Sequence, residues 1–171
     1  MNELVLPTHA NALGNIFGGQ VMAWIDVCAA LAAMRHAGMQ CVTASMDALD
    51  FILPIKVGHV VNLRAMVNFV GRTSLEVGVR VESGPPVASA RDHVASAYLT
   101  FVALGADGRP APVPPLVPES DEERLRWAEA EARRAQRLAL ASERKRLRAA
   151  HDAAHAAAHA AETSARDGGA H

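Results

Sequence analysis

Cysteine is scarce, with Cys28 and Cys41 the only two in 171 residues. Their spacing fits neither a zinc-ligand set nor a disulfide framework, so two reduced, buried thiols and no metal centre are expected. An excess of either charge is also missing. Lys and Arg number 17 against 18 Asp and Glu, a net charge of −1, which leaves no global pull toward nucleic acid or an anionic membrane. Any anionic ligand must be held locally. No apolar run reaches the ~18 residues of a membrane span, and the first residues lack a basic segment followed by an apolar block, the mark of a secretory signal. The expected location is cytoplasmic. What the chain does have is a hydrophobic half, 50% of its residues, enough for one ordinary domain with a real core plus an appendage.

Residues 14 to 26 read GNIFGGQVMAWID. Three glycines in six residues give way to an apolar run with one carboxylate inside it. From Gln20 to Met34 the chain is QVMAWIDVCAALAAM, and Asp26 is its only ionisable side chain apart from the Cys28 thiol. The run predicts a helix that is hydrophobic nearly all round and therefore buried, ending near Gly38 as its C′ residue. Removing an ionised group from water without partners is costly, so a buried Asp26 needs hydrogen bonds, a raised pKa or a chemical role. A structural Asp that caps or pairs locally satisfies the same pattern, and burial alone does not separate the two.

Four later runs carry period-2 character: CVTASMDALDFIL from Cys41, VVNLRAMVNFV from Val60, SLEVGVRVES from Ser74 and HVASAYLTFVAL from His93. They read as strands. In the third, Leu75, Val77, Val79 and Val81 point one way and Glu76, Arg80 and Glu82 the other, which predicts an antiparallel sheet with one wet face. The opposite face needs a cover, and the early helix is the only long apolar element available. The economical architecture is α+β, one helix wrapped by a sheet of four or five strands, the fifth drawn from ELVL near the N-terminus.

Composition shifts at RPAPVPPLVPES, residues 109 to 120, where five prolines mark a boundary or an extended docking segment. The expected domain covers residues 1–118. A capping box from Ser120 to Glu123, with acidic residues in the first turn and basic ones later, predicts a C-terminal helix over 119–150. Its Leu125, Trp127, Leu138, Leu140 and Leu147 are too sparse for a sustained heptad, so a helix lying over the domain or a neighbour is expected rather than a coiled coil. Residues 151–171 are low in complexity. There His151, His155 and His159 would share a helical face able to hold a transition metal, but a frayed Ala-rich tail is the expected state.

The blocks LGNIFGGQVMAWID, VTASMDALDFILPIKVGHVV and VGRTSLEVGVRVE, in that order and spacing and with the ending DGRPAPVPPLVPES, resemble the acyl-CoA thioesterase family of the hotdog fold over residues 3–118. The resemblance implies a long central helix wrapped by an antiparallel sheet, the layout that pattern alone suggests; the C-terminal helical extension rests on the capping box and the charge order. It implies dimers, often built into hexamers as trimers of dimers. The implied activity is hydrolysis of acyl-CoA to a free carboxylic acid and coenzyme A, with no cofactor, coenzyme A being part of the substrate. Asp26 matches the family's catalytic carboxylate, and Asn15 matches a catalytic asparagine found in part of the family. Asp26 would act as general base on water or as nucleophile, while backbone N–H groups of Gly18 and Gly19 at the helix start polarise the thioester carbonyl. Because a thioester carbonyl is already reactive and its thiolate leaves readily, neither a metal nor a strong acid is required. Val27 departs from the family, standing where many members have Glu, which bears on substrate preference rather than on the reaction. The coenzyme A end is expected at the turn Gly71, Arg72, Thr73 and Ser74, with Lys56 and Arg64 as further cations.

Other polar residues read as bystanders. Asp47 and Asp50 alternate with apolar neighbours, as strand-surface or interface residues do, and His9 and His36 lie outside any nucleophile–base pattern. Two further readings compete with the hydrolase. A hotdog hydratase or dehydratase needs a His-containing acid–base pair facing the site, at a spacing from Asp26 or Gly18 that this sequence lacks. A non-catalytic acyl-CoA-binding protein, its C-terminal helix meeting a partner, has no need of Asp26. Acyl-chain length is not legible, since pocket depth depends on how Met22, Met46 and Met66 pack between subunits.

Overall fold

The computed structural model describes residues 1–167, with side chains described through Asp152 and at His155. Helix α1 (Gly18–Ala37) stops at Gly38, whose φ of 67° is a left-handed conformation that glycine adopts without steric cost, and whose N–H closes on the Met34 carbonyl at 2.9 Å. Strands β1 (Asn2–Leu4), β2 (Gln40–Phe51), β3 (Val60–Val70), β4 (Ser74–Gly84) and β5 (Asp92–Leu104) form one antiparallel sheet in the order β1-β3-β4-β5-β2. All four period-2 runs therefore form strands, the fifth strand takes only Glu3 and Leu4 of ELVL, and the expected α+β layout of a helix against a sheet is present. A buried stripe of α1, Val21, Ile25, Ala29 and Ala33, packs on Leu63, Leu75, Val77, Leu99 and Phe101 from the sheet. Leu99 is fully buried, so Leu99→Ala is expected to cost about 2–5 kcal/mol and lower Tm by several degrees in a thermal melt.

Two expectations need correction. Helix α1 is not buried all round: Ala23, Val27 (51% exposed) and Leu31, spaced i, i+4, i+8, form an apolar stripe open to solvent, and Met22 is exposed near the start of the helix. Buried and open stripes are both built of Ala, Val and Ile or Leu, so composition does not tell them apart. Nor is the far face of the sheet uniformly wet. Glu76 is only 2% exposed, because a bulge between Val67 and Phe69 sets Phe69 opposite Glu76 and the Phe69 ring meets Trp127 at 4.6 Å. Arg80 on the same face stays exposed, as predicted.

The proline-rich segment docks along the domain. Ala111 N–H donates to the Ala103 carbonyl, Val113 N–H to the Arg72 carbonyl, and the His36 ring nitrogen Nε2 lies 3.0 Å from the Pro114 carbonyl. Helix α2 (Asp121–Asp167) opens on the predicted capping box: Glu123 N–H donates to Ser120 Oγ at 3.2 Å and Ser120 N–H to Glu123 Oε2 at 3.1 Å. Those backbone donors from Glu119 and Ser120 hold the Glu123 carboxyl below its ordinary range. The first compact unit is Met1–Glu131, taking in the start of α2, and α2 beyond it forms a second. Helical backbone runs past residue 150 to Asp167. The expected frayed tail and the face shared by three histidines fall largely outside the described side chains; His151 and His155 rings lie 6.3 Å apart. Among the described residues no helix is long and apolar enough to cross a membrane. Both cysteines are free thiols, Cys28 buried and Cys41 half-buried, and burial pushes both above the usual thiol pKa.

Candidate active site

Asp26 lies on the side of α1 that looks toward β2. It is half-buried rather than enclosed, and its Oδ1 accepts a hydrogen bond from Thr43 Oγ1 at 2.6 Å. Thr43 reaches it because register sets Thr43 opposite Phe101, which is fully buried on the helix side of the sheet, so both side chains share that face. A bulge follows directly, between Thr43 and Ser45. Local pattern did not single out Thr43. Its signal was weak, a hydroxyl on an alternating strand, visible only once the strand is laid against the helix.

The loop before α1 is organised by Asn11. Its Oδ1 accepts from Leu13 N–H at 2.9 Å and Asn15 N–H at 3.2 Å, and its Nδ2 donates to the Ile16 carbonyl at 3.3 Å. This Asx-type turn delivers the chain to Gly18 and Gly19. No side chain caps α1, so its first N–H groups have no side-chain acceptor. A Cβ at Gly19 would sit 2.3 Å from the Phe17 ring, and one at Gly18 3.5 Å from the Phe51 ring. Two half-exposed aromatic rings thus flank these two glycines. Asn11, Asn15, Gly18, Phe51, Ile52 and Leu53 line a cleft of about 330 Å³ at this end of the helix.

The remaining residues spread over three places. Lys56 is exposed and bridges by backbone to Asn15, beside the start of α1. Gly71, Arg72, Thr73 and Ser74 form the tight β3–β4 turn, closed by Gly71 N–H on the Ser74 carbonyl at 2.7 Å. That turn lies at the other end of β3, roughly 35 Å from Lys56 along the strand. It shares an end of the sheet with the acid: Thr43, Phe101, Leu75 and Val70 form one row across β2, β5, β4 and β3. Arg64 lies on the opposite face of the sheet, ion-paired to Glu82, which also accepts from Arg80 Nε at 2.9 Å. The Arg80 hydrogen bond and the nearby Arg64 charge outweigh partial burial and hold the Glu82 carboxyl below its ordinary range. Within one chain, then, the turn approaches Asp26, Lys56 approaches Asn15, and Arg64 approaches neither.

Residues 13–90 match the model of the thioesterase superfamily. An uncharacterized acyl-CoA thioester hydrolase of Bacillus subtilis is 43% identical over 119 residues, 70% of this chain and 69% of that one. Mouse acyl-coenzyme A thioesterase 11 is 41% identical over 82% of this chain, which spans only 24% of that longer protein. An acyl-CoA hydrolase of Staphylococcus aureus, solved with butyryl coenzyme A, coenzyme A and coenzyme A disulfide, superposes with a TM-score of 0.80 at 42% identity over 85% of this chain and 89% of that one. A hexameric acyl-CoA thioesterase in its apo form superposes with a TM-score of 0.78 at 43% identity, over 82% and 90%. With likeness of this degree over most of both chains, the chain belongs to the thioesterase superfamily, among its hotdog-fold acyl-CoA thioester hydrolases.

Proposed function

We propose that this chain hydrolyses acyl-CoA thioesters with Asp26 as general base, at a site completed by a second copy. The carrying observation is the accessible Asp26 carboxylate, held by Thr43 through Oδ1 alone. Its free oxygen can take a proton from a water as that water adds to the thioester carbonyl. The tetrahedral intermediate then collapses, breaking the C–S bond and leaving a carboxylic acid and coenzyme A thiolate, which picks up the proton. Developing charge on the carbonyl oxygen needs N–H donors, and the uncapped start of α1 at Gly18 and Gly19 offers them. Asp26 lies eight residues further on, about 12 Å along the axis. One carbonyl cannot touch both within one chain. A two-fold partner packed on the open stripe of Ala23, Val27 and Leu31 would bring the start of its α1 to this Asp26. Relatives that assemble as hexamers support self-association of this kind.

The asparagine of the reaction is Asn11 in this reading, rather than Asn15. The Staphylococcus aureus enzyme has been solved with alanine replacing an aspartate, an asparagine and a threonine. Its asparagine stands fifteen positions before the aspartate and its threonine seventeen after, the spacing of Asn11, Asp26 and Thr43 here. Asn11 Nδ2 uses one of its two hydrogens on Ile16, leaving the other for substrate. The Gly71–Ser74 turn, sharing an end of the sheet with Asp26, is the assigned contact for the nucleotide of coenzyme A, and the exposed Arg72 supplies its charge.

The test is release of free thiol from a series of acyl-CoAs of rising chain length. Release that depends on Asp26 supports the hydrolase, and binding without release would make the protein an acyl-CoA sensor. Thr43→Val keeps the shape and removes the hydroxyl that orients the base. It is expected to lower kcat about tenfold with KM little changed, less than the ~10²–10⁴-fold for losing the proton-transferring group itself, because Thr43 only orients that group. An unchanged kcat would remove Thr43 from the machinery.

A further inference from the structure

Helix α2 changes sign along its length. Residues 119–131 carry six carboxylates against two arginines, and residues 132–150 carry seven cations against one carboxylate. From Leu138 to Asp152 every residue is exposed. A helix standing in water on all sides is marginal, and here Arg144 and Arg148 add like charge at i, i+4. This stretch needs an anionic partner.

We propose that α2 pairs antiparallel with α2 of a second copy of this chain. In the first turns Glu123, Arg126, Trp127 and Ala130 are turned from solvent, whereas Asp121, Leu125 and Ala128 on the opposite side are exposed. The same side continues, still exposed, through Ala132, Ala135, Ala139, Ser142 and Arg146, a spacing of three and four. Laid antiparallel on itself, this face sets Asp121 against Arg146, Leu125 against Ser142, Ala128 against Ala139 and Ala132 against Ala135. Flanking positions agree in sign, with Glu122 against Lys145 and Arg124 against Glu143. Arg124 and Glu143 reverse the general polarity of their segments, yet they still meet as opposites. Within each chain Arg124 already pairs with Asp121, and Arg146 with Glu143, so each end of the contact becomes a network of four alternating charges. Parallel pairing would oppose Asp121 to Asp121 and Arg146 to Arg146. Charge sets the partner and its direction, and the alanines permit close approach without directing it. The contact is separate from the α1 stripe, so each subunit has two different ways to meet another.

Two single variants of the full chain, Ala128→Cys and Ala139→Cys, are co-expressed, oxidised gently and run without reductant, with the parent as control for Cys28 and Cys41. Disulfides need Cα atoms within about 7 Å, and in the antiparallel pair identical positions lie roughly 16 Å apart along the axis. A covalent dimer at least tenfold more abundant in the mixture than in either variant alone is expected. Equal linkage in the single variants means parallel pairing and overturns the proposal, as does no linkage at all. A second arm uses sedimentation. Asp121→Arg is expected to weaken association through α2 about tenfold in Kd, and adding Arg146→Asp to recover most of that loss, because the swap keeps the contacts between the two helices complementary while giving up only the exposed pairs within each chain. Failure to restore overturns the pairing. So does co-sedimentation of an unlinked parent with phosphatidylserine vesicles, which would make an anionic bilayer the occupant.

Discussion

Asp26→Asn is expected to fold as the parent does and to hydrolyse acyl-CoA at least about a hundredfold more slowly. The amide is isosteric, and its oxygen can still accept from Thr43 Oγ1, so the contact at 2.6 Å survives. What is lost is the ability to take a proton from water, a function whose removal typically costs 10²–10⁴-fold. The loss should appear in kcat and in kcat/KM alike, since the base acts only in the transition state. Free-thiol release measured beside a thermal melt separates chemistry from folding. Near-parental turnover would sink the assignment of Asp26, whatever the fate of the other residues.

Activity should reappear when two dead variants are mixed. Asn11→Asp keeps the Oδ1 acceptor that organises the loop and removes the N–H pair, and with Asp26→Asn it gives two impaired proteins with separate lesions. Co-expressed, random pairing makes about half the dimers mixed. In each mixed dimer one site gathers both lesions and the other gathers neither, so about a quarter of parental activity is expected from a two-fold interface. If one chain supplied both groups to its own site, every site would carry a lesion and mixing would restore nothing. Running Asn15→Ala through the same mixing distinguishes the two asparagines. Recovery with the Asn11 variant, while Asn15→Ala alone stays active, fixes the role on Asn11.

Much of the frame was legible because it rests on local pattern. Alternation in SLEVGVRVES was enough for a strand, the lone acid in QVMAWIDVCAALAAM marked Asp26 as a candidate while leaving a local structural role open, and the capping box at Ser120 formed as written. Thr43 was not legible, because its meaning depends on a strand register set seventeen residues downstream of the acid. Glu76 misled for a related reason. Its alternation points to water, but a bulge in the neighbouring strand and an aromatic pair between Phe69 and Trp127 close over it. The open stripe of α1 has the composition of a core, and only its surroundings show that none of the described residues covers it. Asn11 and Asn15 flank the same short loop; the resemblance points to Asn15, whereas the proposed role falls on Asn11, whose side chain holds the loop.

Strand order also governs the moment of synthesis. β2 pairs only with β5, at the far side of the sheet from β3. When Phe51 leaves the ribosome its strand has no partner until residues 92–104 follow, roughly 2–11 s later at 5–20 residues per second. During that interval α1 can already lie on β3 and β4, but β2 offers its unpaired backbone edge to solvent or to a chaperone. Slower decoding between residues 52 and 91 would lengthen that exposure, and the yield of folded chain should fall with it.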